Sequence, residues 1–200
     1  LVSSGAIAAG FGPLGFDSRP VDVATQQATA AVGQGLLMAR YETAFGRFGI
    51  RVGQILITAE DTIRATQYRN VERTLDRLLD LGVVPIINEN DSVSVDQIKI
   101  GDNDTLSALT ANLWAADLLI LMSDIDGVYD KDPHKYDDAV KYDTLTFSEV
   151  LNKELAVMDM TAASMCKDNH IPVLVFDIGQ PDNLVRAVQG EDIGTLVTEG

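Results

Sequence analysis

Ten carboxylates fall between residues 83 and 132 (Glu89, Asp91, Asp96, Asp102, Asp104, Asp117, Asp124, Asp126, Asp130 and Asp132), against two bases, Lys99 and Lys131. Acids this dense repel one another unless a cation or a ligand's amino group neutralises them. Two runs concentrate them. Asn88-Glu89-Asn90-Asp91-Ser92 leads on to Gly101-Asp102-Asn103-Asp104-Thr105, and Ser123-Asp124-Ile125-Asp126-Gly127-Val128-Tyr129-Asp130-Lys131-Asp132 follows later. One Asp is enough to cap a helix, so one of the Asp102 and Asp104 pair and the Asn103 between them are surplus to a cap. A third run, Ser3-Ser4-Gly5-Ala6-Ile7-Ala8-Ala9-Gly10, is made of small residues. Small side chains let a ligand approach the backbone, and backbone N–H groups can cradle an anion.

Other chemistries fit poorly. The twelve-residue ligand spacing of a calcium EF-hand is absent. His134, Cys166 and His170 do not make a closed zinc site. No G-x-S-x-G elbow, P-loop lysine motif or G-x-G-x-x-G turn follows a strand. A site for magnesium and phosphate remains, built from hard oxygen ligands and backbone amides that hold a nucleotide.

The 200 residues suit one domain with a sizeable core, 46% apolar and 22% charged. Thirty acids against fifteen bases leave a net charge of −15, which argues against a nucleic-acid or anionic membrane surface. A small anionic substrate stays open. The lone Cys166 cannot close an internal disulfide, which fits a reducing compartment. No apolar run approaches the ~20 residues of a membrane span, and no signal peptide opens the chain. The expectation is a soluble, acidic, cytoplasmic domain acting on a small molecule.

Elements must place these clusters. Short apolar runs at residues 52–58, 83–88, 118–122, 172–178 and 195–197 read as strands. Segments 25–48, 61–81, 104–116, 147–155, 159–170 and 182–189 read as helices. In 25–48 the apolar stripe is Ala28, Val32, Leu36 and Ala39; in 61–81 it is Val71, Leu75, Leu78 and Leu79, with Gly82 as a stop. Apolar strands alternating with helices imply an α/β fold with a mainly parallel sheet covered on both faces. Ligands in such sheets bind beyond the carboxyl ends of the strands. Leu1 and Val2 read as the end of a strand that starts upstream, so a truncated N-terminus is expected. The polar stretch 130–143 reads as the longest loop. His134 and His170 read as a loop and a helix-end residue, Cys166 as a buried apolar residue, and Asp159 as a helix cap. Trp114, Met158, Met160 and Met165 read as core or near-core.

The runs Val2–Gly10, Ala30-Ala31-Val32-Gly33-Gln34, Pro85-Ile86-Ile87-Asn88-Glu89-Asn90-Asp91 and Gly101–Ala108 resemble the amino-acid-kinase family. Within it, residues 1–127 are most similar to the glutamate 5-kinases. That resemblance implies an ATP-dependent kinase with a three-layer sandwich fold. It phosphorylates the γ-carboxylate of glutamate in the first step of proline biosynthesis, with ATP and Mg²⁺. Ser4, Gly5, Asp91 and Asn103 are then implied to bind the substrate. Asp102 and Asp104 are implied catalytic residues, and Ser123 and Asp124 the pair near ATP. From residue 128 the resemblance passes to the bacterial uridylate (UMP) kinases, through Val128–Pro133, 142–151, 157–162, 171–176 and 190–197. It implies Tyr129 and Asp132 near the nucleotide, and UMP as the alternative acceptor.

A single domain follows from the resemblance, with an acceptor-binding half (1–127) and a nucleotide-binding half (128–200). Both families assemble into oligomers, so a homo-oligomer is implied. Two departures stand out. The lysine-bearing G-T-G-G-M segment of the glutamate 5-kinases is absent, and so is the family's opening lysine loop. An inactive nucleotide-binding module is therefore a third reading.

Overall fold

Five strands of the described residues come from the apolar runs, with helices between most of them. A computed structural model describes residues 1–58, 61, 64–94, 103–155 and 158–200, which form two units, Leu1–Leu106 and Ser107–Gly200.

The first unit contains α1 (Ala6–Leu14), α2 (Val23–Gly46), β1 (Arg51–Ile57), α3 (Ala65–Asp80) and β2 (Val83–Glu89). Strands β1 and β2 run parallel, from Arg51 opposite Val83 to Ile57 opposite Glu89. Val2 bridges Ile87, also in parallel. The Ser3 N–H donates to the Ile87 carbonyl and the Ile87 N–H to that of Leu1, both at 2.8 Å. β2 is thus central, and Ser4, Asn88 and Glu89 reach the same carboxyl edge.

Side-chain alternation along β1 fixes the layers. Gln54 accepts a hydrogen bond from Gln34 of α2 at 3.2 Å. The neighbouring Gly53 faces Leu78 of α3, whose methyl would lie 3.1 Å from a Cβ there. Successive residues point to opposite faces, so α2 and α3 cover opposite sides of this sheet.

Helices α1 and α2 cross closely because glycine stands at the contact. A Cβ on Gly33 would lie 1.7 Å from the Ala6 carbonyl oxygen, and one on Gly10 would lie 2.1 Å from that of Thr29. This close crossing overturns the expected stripe of α2. Thr29, Ala30, Gly33, Gln34 and Met38 are buried, while Ala28, Val32, Leu36 and Ala39 are exposed. Apolar periodicity marks one face, but backbone contact with α1 needs small residues and selects another. In α3, Leu75 is fully buried with Val71 and Leu78 beside it, whereas Leu79 is 51% exposed and leaves the expected stripe. Helix α1 gives bounds to a run of small residues that reads from sequence only as a glycine turn or a strand–turn–helix junction.

The second unit takes in most of α4 (Asn103–Leu113), which starts in the first. It continues with β3 (Leu119–Ser123), β4 (Val128–Tyr129), β5 (Lys141–Tyr142), β6 (Thr144–Thr146), α5 (Phe147–Asn152), α6 (Met160–Asp168), β7 (Val173–Asp177), α7 (Asn183–Val188) and β8 (Thr195–Thr198). Its sheet has the order β3-β7-β8-β6. β3 and β7 pair in parallel, as do β6 and β8, while β7 and β8 are antiparallel. Val173, Val175 and Val197 pack into one cluster with Ala108 and Ala111 of α4, Phe147 and Val150 of α5, and Ala162, Ala163 and Cys166 of α6. The alternate residues Leu174 and Phe176 pack with Ala187 of α7 and with Leu118, Ile120 and Leu196. Helices therefore cover both faces again, and each unit has the three-layer α/β arrangement.

The cap and core expectations hold in this unit with one exception. Asp159 accepts the Ala162 N–H at 2.7 Å as the N-cap of α6. Burial pushes the fully enclosed Cys166 thiol up to about 11, so it stays protonated and unreactive near neutral pH. Met160, by contrast, is 54% exposed, at the first position of α6 where the side chain points to solvent. The β4–β5 ribbon was not legible in the sequence. It closes the 130–143 stretch at its base, with the Asp130 N–H donating to the Val140 carbonyl at 3.1 Å and the Val140 N–H to the Asp130 carboxylate at 2.8 Å.

Candidate functional site

A cavity of about 400 Å³ opens at the carboxyl edge of the first unit's sheet. Four of the residues singled out in the sequence line it together, Ser4, Gly5, Asp91 and Asn103. Each arrives by a different route. Ser4 and Gly5 follow the strand segment at Leu1–Ser3. Gly5 holds a left-handed conformation, φ 95°, that turns the chain into α1, and no side chain of the described residues caps that helix. The first N–H groups of a helix have no partner within it. Those of Ala6, Ile7 and Ala8 belong to residues lining the cavity, which gives it a wall of donors at the positive end of the helix dipole.

Asp91 sits on the turn after β2. The Asn90 N–H donates to the Ile57 carbonyl at 2.8 Å, and the Val93 and Ser94 N–H groups donate to Asn90 at 3.1 and 3.0 Å. Ser94 is buried. Its hydroxyl donates to the Glu89 carboxylate at 2.6 Å, and its carbonyl accepts from Gln27 of α2 at 3.0 Å. The turn is thus fastened to β1 and to α2. Asn103, first residue of α4, donates from its amide to the Ser3 carbonyl at 3.3 Å, across a hundred residues of sequence. Ser3 in turn shares a hydrogen bond of 2.8 Å with the Tyr41 hydroxyl.

From Asn88 in the cavity wall a chain of amides runs through buried Gln34 to exposed Gln54. The Asn88 amide donates to Gln34 at 3.0 Å, and Gln34 donates to Gln54 at 3.2 Å. Buried amides cost stability unless satisfied, and here each satisfies the next.

Arg19 and Phe11, which the sequence reading passed over, also line the cavity, as do Asn88 and Glu89 of the acidic run, to which no individual role was given. Asn88 and Glu89 lay in plain view beside Asp91. Arg19 sits in an unpatterned loop, and its one signal is that residues 1–39 hold no other Lys or Arg. Lys99, taken from sequence as a nearby base, lies outside the described residues, and so does the implied catalytic Asp102. Asp104 stands half-buried in the first turn of α4, where its charge complements the helix dipole.

The residues implied near the nucleotide belong to the second unit, and their side chains are held by neighbours. The Ser123 hydroxyl donates to Asp124 at 3.4 Å, at the carboxyl end of β3. The Tyr129 hydroxyl donates to Asp126 at 2.6 Å, and Lys141 reaches the other oxygen of Asp126 at 3.4 Å. That hydrogen bond from Tyr129, helped by Lys141, holds the Asp126 carboxyl below its ordinary value and lifts the Tyr129 hydroxyl above its own. Asp132 accepts the His134 N–H at 2.9 Å and pairs with Lys135 at 2.8 Å, which lowers its pKa. Among the described residues no three His, Cys, Asp or Glu side chains converge as a metal site. Mg²⁺ commonly needs only one or two carboxylates, with the phosphates of a nucleotide and water as its other ligands.

The cavity lies at the strand ends of an α/β fold, the place where such sheets bind ligands, and the helix N-terminus in its wall suits an anionic group. Residues 1–177 match the Amino acid kinase family, and the chain belongs to it. It is 84% identical over 133 residues to a glutamate 5-kinase of Bifidobacterium longum (strain NCC 2705), covering 66% of this chain and 35% of that protein. It is 61% identical over 135 residues to a glutamate 5-kinase of Streptomyces coelicolor, covering 68% of this chain and 36% of that one. The matched stretch therefore spans about a third of the length of these curated relatives. Among solved structures, UMP kinase from Bacillus anthracis superposes with a TM-score of 0.68 at 19% identity, over 98% of this chain and 75% of that one. UMP kinase from Ureaplasma parvum gives 0.68 at 21%, over 98% and 77%. At these identities the likeness is one of fold.

Proposed function

We propose that the chain is an ATP-dependent phosphotransferase whose first unit binds glutamate as acceptor and whose second unit binds the nucleotide. The observation that supports the acceptor most directly is the gathering of Ser4, Gly5, Asp91 and Asn103 around one cavity. The 84% identity to a glutamate 5-kinase supports the same choice. A carboxylate at Asp91 suits an ammonium group, and the amides of Ala6, Ile7 and Ala8 suit a carboxylate.

In the reaction, an oxygen of the γ-carboxylate attacks the γ-phosphorus of ATP. The bond from that phosphorus to the β,γ-bridging oxygen breaks, ADP leaves with the electron pair, and an acyl phosphate forms. The protein's share is positioning and charge complementation. Ser4 and Asn103 orient the acceptor, Asp91 holds its ammonium group, and the N-terminus of α1 faces the negative charge. Asp102 and Asp104 are assigned to the catalytic machinery, and Ser123, Asp124, Tyr129 and Asp132 to the nucleotide. Mg²⁺ is assigned to the ATP phosphates, where it neutralises charge. Proline biosynthesis in the cytoplasm is the corresponding setting, with a homo-oligomer as the assembly.

ADP release from ATP and Mg²⁺, measured with L-glutamate, with UMP and with no acceptor, tests the reading. Stimulation by glutamate alone is the expected result. Stimulation by UMP alone replaces the acceptor, and stimulation by neither leaves a nucleotide-binding module without turnover. For the acceptor site itself, Asp91→Ala is expected to weaken glutamate binding about 10- to 100-fold by loss of a charged hydrogen bond, with ATP binding unchanged. Isothermal titration calorimetry of both ligands checks it, and equal loss of both removes the assigned role.

A further inference from the structure

We propose that Arg19 makes this cavity specific for a dicarboxylic amino acid by binding the carboxylate that does not receive the phosphoryl group. The proposal rests on the acceptor reading above and adds to it a source of selectivity.

It starts from the charge inventory of the cavity wall. The wall holds the acids Glu89 and Asp91, the cation Arg19, and the amides at the start of α1. An amino dicarboxylate carries one ammonium and two carboxylates, and so needs one acidic partner and two separate sets of donors. Asp91 provides the first. The amides of Ala6, Ile7 and Ala8 are one set of donors, and the guanidinium of Arg19 is the other. Among the described residues no carboxylate pairs with Arg19, so none of them consumes its donors.

The local structure holds the residue in place. Pro20 biases the preceding Arg19 toward an extended backbone. The amide of Gln26, in the first turn of α2, donates to the Pro20 carbonyl at 2.8 Å and to that of Val21 at 3.3 Å. Asp22 caps α2 by accepting the Thr25 N–H at 2.9 Å. The loop between the two helices is therefore pinned immediately after Arg19.

Chemistry decides which carboxylate goes where. A guanidinium binds a carboxylate through two parallel hydrogen bonds, one to each oxygen. A carboxylate held that way has both oxygens engaged, which lowers their nucleophilicity toward phosphorus. Helix N-terminal amides serve equally well for a carboxylate and for the acyl phosphate it becomes. The reacting γ-carboxylate thus belongs at α1, and the α-carboxylate at Arg19.

The experiment compares L-glutamate with 4-aminobutyrate, which keeps the γ-carboxylate and ammonium but lacks the α-carboxylate. Dissociation constants are measured by calorimetry for the unaltered chain, Arg19→Gln, Arg19→Lys and Asp91→Ala. Arg19→Gln is expected to weaken L-glutamate about 10- to 100-fold while leaving 4-aminobutyrate unchanged, the signature of a lost charge-assisted pair. Arg19→Lys is expected to fall between, because an ammonium cannot make the paired contact. Arg19 is exposed, so melting curves should not move. Unchanged glutamate affinity in Arg19→Gln, or equal weakening of both ligands, overturns the proposal. If glutamate binds the unaltered chain and is lost in Asp91→Ala but not in Arg19→Gln, only the Arg19 assignment fails. If the unaltered chain binds no glutamate, the acceptor reading fails and this proposal with it.

Discussion

The two units share one architecture and treat their polar residues in opposite ways. In Leu1–Leu106, residues from the chain start, the turn after β2 and the head of α4 converge on a cavity whose wall includes an uncapped helix N-terminus. In Ser107–Gly200, the candidate residues are engaged with near neighbours in sequence. Tyr129 bonds to Asp126, Asp132 to His134 and Lys135, and Ser123 to Asp124. The loop beside them is closed by its own ion pair, Lys131 with Asp138 at 2.7 Å. A dense run of acids thus has two outcomes. Where the chain supplies bases and hydroxyls locally, the acids stabilise a loop; where distant segments meet, acids and donors line an open hollow.

The largest expected effect tests whether the first unit's cavity depends on helix crossing. Gly33→Ala puts a methyl 1.7 Å from the Ala6 carbonyl oxygen, a backbone atom that cannot step aside. The expected loss is about 3 kcal/mol or more by overpacking, read from the urea midpoint. Hydrogen exchange should place the loosening in residues 1–106, and glutamate binding should fall with it. Retained protection around α1 would mean the crossing is softer than its geometry.

A smaller effect tests the second unit. Thr195 is fully buried, and its hydroxyl accepts the Val128 N–H at 2.8 Å and donates to the Tyr142 carbonyl at 2.5 Å, joining β8 to both strands of the β4–β5 ribbon. Thr195→Val leaves both backbone groups without that partner and is expected to cost about 1–3 kcal/mol. Thermal melting measures the loss, and amide exchange at Val128 locates it.

The smallest concerns pH. Asp126 is held below its ordinary value of 3.8, first by the Tyr129 hydroxyl and then by Lys141. A carboxyl with a depressed folded value contributes stability that is present above its unfolded pKa and lost as pH falls through the folded one. That contribution therefore fades below about pH 4, and it is small because the Asp126 side chain is 57% exposed. Tyr129→Phe should return the Asp126 carboxyl toward 3.8 in an NMR titration, with stability at neutral pH nearly unchanged. An unmoved titration would show that Lys141, and not the hydroxyl, sets the value.

Much of the fold was legible because strands and helices are local in character. Apolar runs at 83–88 and 172–178 became β2 and β7, and Asp159 capped α6 as its position suggested. The exposed stripe of α2 was misread because periodicity names a face without naming its partner, and the glycine face met α1 first. The β4–β5 ribbon escaped because two-residue strands carry too little pattern to register.

Residue chemistry and local pattern were enough to mark the α/β elements, the crowded acids and the small-residue turn, since each depends on neighbours a few positions away. Packing alone decided that Ser4, Asp91 and Asn103 would share a hollow with Arg19, and that Asp126 and Asp132 would be occupied by their own loop. Such meetings join segments up to a hundred residues apart, and which donors and acids end up face to face is fixed only when helices and strands close against one another.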